Sequence, residues 1–190
     1  MTSMTVKKLT WCILFSLNIF PTNTFAIDMN GLVERDFMYF ERFSDTPYTG
    51  EVKAETYGES GYMLNGKRDG PWISYYKTGQ LHWKGNYKDG CKDGVWKRYH
   101  LNGQLEGDRA YQHCQNVGFW TSFHNNGSRH LAGGFKNGEE HGLWVSYDRF
   151  GRLNWRGTYR LGKKHGEWIY LSDGKINPMS GLYENGNKVE

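Results

Sequence analysis

Residues 69–92 read DGPWISYYKTGQLHWKGNYKDGCK, and residues 141–164 read HGLWVSYDRFGRLNWRGTYRLGKK. Set one above the other, they agree at Gly70/Gly142, Trp72/Trp144, Tyr75/Tyr147, Gly79/Gly151, Trp83/Trp155, Tyr87/Tyr159 and Gly90/Gly162. The triplet Gly-x-Trp recurs at Trp72, Trp96, Trp120, Trp144 and Trp168, each 24 positions after the last. Three residues beyond each tryptophan stand Tyr75, Tyr99, Phe123, Tyr147 and Leu171, and a further aromatic column holds Tyr87, Tyr111, Phe135, Tyr159 and Tyr183. A repeat this regular governs the choice of fold.

Glycine punctuates the repeat in two more columns, Gly79, Gly103, Gly127 and Gly151, and Gly66, Gly90, Gly138, Gly162 and Gly186. The second is often Asn-Gly or Asp-Gly, the dipeptides of tight hairpin turns that need positive φ. So dense a spacing of glycine leaves little room for helices. Each unit therefore reads as strand, turn, strand, turn. In residues 80–88 the alternation is plain: Leu81, Trp83, Gly85 and Tyr87 point one way, and His82, Lys84, Asn86 and Lys88 the other. Trp72 and Tyr75 lie three apart, so they take opposite faces of a regular strand or share one across a bulge.

A lone hairpin is marginally stable, but hairpins laid side by side bury a continuous ribbon of rings. The expected fold is all-β, an elongated single-layer antiparallel sheet of consecutive β-hairpins. About eleven strands at about 4.8 Å spacing would span on the order of 50 Å. The expected core is Trp72, Trp96, Trp120, Trp144 and Trp168 with Tyr87, Tyr111, Phe135, Tyr159 and Tyr183. Removing Trp120, in the middle of the stack, is expected to cost about 3–5 kcal/mol. Residues 48–188 hold one partial and five full units, the partial one with Tyr48 in the tryptophan column. Residues 27–47 lack the glycine pattern and are expected to cap an exposed edge.

Composition supports this reading. Aromatic residues make up 16% of the chain, with Trp 8, Tyr 13 and Gly 25, yet mean hydropathy is −0.78. Rings set singly among glycines and charges suit half-buried strands better than a thick apolar interior. Residues 1–26 read as a secretory signal: Lys7 and Lys8, a short apolar run over residues 9–20, Pro21, and small residues ahead of a cut near Ala26. The mature protein is then periplasmic or secreted, an uncleaved anchor being the alternative. Loss of Lys7 and Lys8 lowers the formal charge from +4 to +2. Both signs are interspersed, which argues against a nucleic-acid partner.

In an oxidising compartment Cys91 and Cys114 form a candidate disulfide, with two free thiols as the alternative. Counted in strands they lie roughly 7 Å apart, at the long end for such a bond. The histidines are spread over columns a hairpin apart, so solvated rings are expected rather than a metal site. No P-loop, His-Glu-x-x-His or dinucleotide fingerprint is present, and Gly58-Glu59-Ser60-Gly61 lacks nucleophile-elbow spacing. Asn126-Gly127-Ser128 fits a glycosylation sequon, but hairpin turns already account for Asn-Gly. No catalytic residue, metal or cofactor is expected. Trp83 and Trp155 are the candidates for ligand stacking, in a column that Gly107 and Leu131 interrupt.

The units quoted above closely resemble MORN-variant repeats, and Asp45-Thr46-Pro47-Tyr48-Thr49-Gly50-Glu51-Val52 is similar to the lead-in of bacterial members, the YwqK-family antitoxin components. The resemblance covers about residues 46–188. It implies an elongated sheet of hairpins and an interaction or scaffolding role, eukaryotic relatives being associated with membranes and protein partners. An antitoxin role is a second implication, at odds with export because a cytosolic toxin calls for a cytosolic antitoxin. The expected function is an exported scaffold for a protein or envelope partner, with a cell-surface glycan binder as the alternative.

Overall fold

The computed structural model describes residues 26–190, and the expected signal segment lies almost wholly outside them. After a 3-10 turn at Met29–Gly31 come β1 (Leu32–Arg35), β2 (Met38–Glu41), β3 (Gly50–Val52), β4 (Gly58–Leu64), β5 (Lys67–Tyr75), β6 (Leu81–Lys88), β7 (Cys91–Tyr99) and β8 (Leu105–Gln112). There follow β9 (Gln115–Phe123), β10 (Arg129–Lys136), β11 (Glu139–Tyr147), β12 (Leu153–Arg160), β13 (Lys163–Ser172), β14 (Lys175–Ile176), β15 (Gly181–Glu184) and β16 (Asn187–Lys188). There is no α-helix among the described residues. Strands β3 to β16 form one 14-stranded antiparallel sheet in chain order, β14 pairing with β13 off the main path. The fold is the single-layer ladder of hairpins that the repeat predicts.

The Gly-x-Trp triplet is a bulge. Lys84 pairs with Lys97 and Asn86 with Asp93, so Gly94, Val95 and Trp96 of β7 all stand opposite Gly85 of β6. Gly94 makes the bulge with φ 67°, a conformation in which a side chain is disfavoured although nothing lies within 4 Å of its missing Cβ. The bulge throws the indole back over the preceding strand. A side chain at Gly85 would overlap Trp96, and the same holds for Gly61 under Trp72, Gly133 under Trp144 and Gly157 under Trp168. Each of these four indoles donates its Nε1–H to the carbonyl next to its glycine: Trp72 to Tyr62 at 3.1 Å, Trp96 to Asn86 at 3.0 Å, Trp144 to Gly134 at 3.1 Å and Trp168 to Thr158 at 3.1 Å. All four are at most 7% exposed. Tyrosines of the second column stand edge-on between them, Tyr87 at 5.9 Å from Trp72 and 4.8 Å from Trp96 between ring centroids.

Trp72 and Tyr75 take opposite faces. Within β5 the pairing runs unbroken from Trp72↔Gly85 to Ser74↔Trp83, and the irregularity that follows falls on His82 of β6. Buried Ser74 therefore shares the tryptophan face, and Tyr75 lies on the other, 37% exposed.

Residues 27–47 pack on the first strands. Ile27 forms a parallel bridge to Val52 on the outer side of β3, donating to Glu51 and accepting from Lys53. Leu32, Tyr48, Val52 and Met63 join Trp72, Tyr87 and Trp96 in one buried cluster.

Candidate functional site

The sheet has two unlike faces, and each is built by the register just described. On the tryptophan face the middle of the ladder departs from the rule. The residue beneath Trp120 is Arg109, where the other units have glycine: Asp108 pairs with Thr121 and Ala110 with Val117, leaving Gly118, Phe119 and Trp120 opposite Arg109. The indole cannot lie down on an arginine side chain. Instead the Arg109 guanidinium sits over its ring at 4.4 Å and over Phe135 at 5.5 Å. Trp120 is half-buried, and among the described residues its Nε1–H has no carbonyl partner at Ala110. This corrects the expectation of five equivalent core tryptophans. Tyr87 and Tyr183 are buried, whereas Tyr111, Phe135 and Tyr159 are half-buried.

Trp83 and Trp155 lie on the same face, both half-buried. Trp83 leans on Trp96 with centroids 5.0 Å apart, and Trp155 stacks on Trp168 at 5.5 Å. Each covers a neighbour with one ring face and leaves part of itself to solvent. Gly107 stands between them in the column, close against β9, where a Cβ would meet the Thr121 carbonyl oxygen at 2.8 Å.

Cys91 and Cys114 are joined by a disulfide, with Cα atoms 4.8 Å apart rather than the roughly 7 Å expected from strand counting. The reason is that turns on this side fold back onto the preceding turn. Gly90 N–H donates to Arg68 O at 2.9 Å, Gly138 to Asn116 at 3.0 Å, Gly162 to Glu140 at 3.0 Å and Gly186 to Lys164 at 2.9 Å. The equivalent bond from Cys114 to Lys92 is missing among the described residues, and the disulfide takes its place. His113 and Cys114 both hold positive φ, 49° and 65°, where the other turns have glycine second.

On the opposite side of the sheet the turns are tied by a side-chain ladder. Tyr76 Oη donates to Tyr99 O at 2.8 Å, His100 Nε2 to Phe123 O at 2.8 Å and His124 Nε2 to Tyr147 O at 2.9 Å. A carbonyl only accepts, so Nε2 of each imidazole carries a hydrogen. These two rings are half-buried structural ties, which corrects the expectation that the histidines are simply solvated. Burial, together with Arg98, holds His82 below the ordinary imidazole range; partial desolvation and His124, 4.3 Å away between ring centroids, do the same for the more exposed His130. No cluster of three or more potential metal ligands occurs among the described residues.

The other face carries an exposed apolar row. Val95 pairs with Ala110, Phe119 with Gly134 and Leu143 with Thr158. Val95, Phe119 and Leu143 are 57%, 69% and 60% exposed, because the middle residue of Gly-x-Trp points away from the tryptophan. Lys84 and Lys97 border a shallow depression of about 470 Å³ between Pro71, Ile73 and Val95. Sequence reasoning missed this row, although its signal was the middle position of the triplet it had found.

The chain matches no family model and no curated protein.

Proposed function

We propose that this is an exported, non-enzymatic repeat scaffold that holds a protein partner of the cell envelope on the face opposite the tryptophans. The observation that carries this reading is the set Val95, Phe119 and Leu143, exposed at the same position of β7, β9 and β11, with Val95 paired to Ala110 and Phe119 to Gly134. Large apolar side chains repeated on one exposed sheet face mark interaction sites. Lys84 and Lys97 beside it suit a partner whose apolar side chains are flanked by acids. The resemblance to MORN-variant repeats supports the same role. Export rests on the N-terminal segment and fits a protein that carries a disulfide.

The test is capture from envelope extract with wild type and Phe119→Asp, alongside fractionation and sequencing of the mature N-terminus. A specific protein retained by wild type and lost by Phe119→Asp supports the reading. Equal capture by both, or a chain found uncleaved in the cytosol, overturns it.

A further inference from the structure

Strand β8 breaks the repeat twice on the tryptophan face, at Gly107 and at Arg109. Two depressions result, one of about 500 Å³ reaching to Trp83 and Trp96, the other of about 380 Å³ reaching to Leu131 and Trp155, and both are walled by Arg109 and Trp120. Each contains a buried polar atom with no partner, Ser122 Oγ in the first and Asn116 Oδ1 in the second. Ser122 is only 7% exposed, so its hydroxyl is served only by something that enters the depression.

The charges there are unevenly matched. Glu59 is held by Arg68 at 2.6 Å and Glu106 by Arg98 at 3.0 Å. Arg109 and Lys92 form no ion pair among the described residues; both lie against rings, Lys92 at 4.5 Å from Trp96 and 5.2 Å from Tyr111. Two carboxylates form no ion pair among the described residues, Asp108 at the first depression and Glu140 in the second; at the first, Asp108 is outnumbered by Lys92, Lys97 and Arg109. The first depression thus offers free positive charge beside indole faces and an unsatisfied hydroxyl.

The geometry points to a binding site for an acidic oligosaccharide lying across Trp120. Indole faces take the C–H faces of sugar rings, Arg109 and Lys92 take carboxylates, and Ser122 and Asn116 bond hydroxyl groups. The site goes beyond the protein-binding reading and occupies the other face, so either stands without the other.

Titration calorimetry and tryptophan fluorescence with a galacturonate hexamer, and with cellohexaose as the neutral probe, test it. Wild type is expected to bind the acidic hexamer saturably and the neutral one at least roughly tenfold more weakly, the loss of one charge-assisted contact. Arg109→Gly restores the residue found beneath the other tryptophans, so it should melt at or above wild type while losing at least roughly tenfold in affinity. Trp83→Ala provides a second variant, expected to weaken binding, and Phe119→Ser should not. Absence of saturable binding by wild type, equal affinity for both hexamers, or unchanged binding in folded Arg109→Gly or Trp83→Ala overturns the assignment.

Discussion

Gly85 and Trp96 are in face contact across neighbouring strands, and a side chain on the one would overlap the ring of the other. The bulge at Gly94 drives the indole onto β6, and the absence of a Cβ at Gly85 lets it settle there. Gly-x-Trp and the glycine eleven residues before the tryptophan are one device.

Gly85→Ala should therefore cost about 1–3 kcal/mol, the range of overpacking a well-filled core. Trp144→Ala should cost about 3–5 kcal/mol, and Trp120→Ala, half-buried over Arg109, only about 1–2 kcal/mol. Denaturant midpoints at constant slope read all three. Equal losses for Trp120 and Trp144 would mean that Arg109 does not displace its tryptophan.

The disulfide invites a comparison among turns. Replacing Cys91 and Cys114 together by serine should cost about 3 kcal/mol, from a loop of sequence separation 23. Cys91→Ser with Cys114→Gly should recover about 1 kcal/mol of that, because residue 114 holds a φ of 65°. Thermal unfolding of the two pairs, with and without reductant, distinguishes these outcomes.

The same geometry exists one turn earlier. A Cβ on Gly90 would lie 3.6 Å from that of Lys67, within the separation that a disulfide spans. Lys67→Cys with Gly90→Cys should cross-link spontaneously under oxidising conditions, shown by a mass about 4 Da below that of the fully reduced chain, against about 2 Da for the native Cys91–Cys114 bond alone. Two alkylatable thiols in the folded variant would contradict the turn-on-turn stacking.

Histidines set a pH dependence. His82 and His130 have folded pKa values below their ordinary 6.5, so the folded state favours their neutral forms. Their contribution is present above pH 6.5 and is lost as pH falls through the folded values. Stability should decline on acidification from pH 6.5, and His82→Gln with His130→Gln should flatten that decline in urea titrations at successive pH values.

Phe119→Ser, on the apolar row, should change stability by no more than about 0.5 kcal/mol, since the side chain is exposed. A loss approaching that of Trp144→Ala would mean the row is covered in the free protein.

Much of this was legible in the sequence because a 24-residue period leaves few ways to arrange strands and turns. Cys91 and Cys114 could be paired from compartment and proximity alone, but their closeness depends on turns folding backward, which strand counting ignores. The faces of Trp72 and Tyr75 stayed open because the irregularity that follows Ser74 lies in the partner strand, at His82. Glycine beneath each tryptophan was present as Gly61, Gly85, Gly133 and Gly157, with Arg109 the lapse. Glycine has so many local uses that a seat for a ring across the sheet is not its first reading. The exposed depressions around Trp120 depend on that lapse, so they were hidden with it.

From β4 to β12 each strand bonds only to its predecessor and successor in the chain. The loops closed during folding thus stay short however many units are added, and their entropic cost does not grow with the length of the protein. Copy number becomes an adjustable quantity. Excising residues 142–165, one whole period, would join His141 to Gly166 and bring Trp168 over Gly133 in place of Trp144. An array built this way can lengthen or shorten like an accordion while each surviving joint keeps its fit.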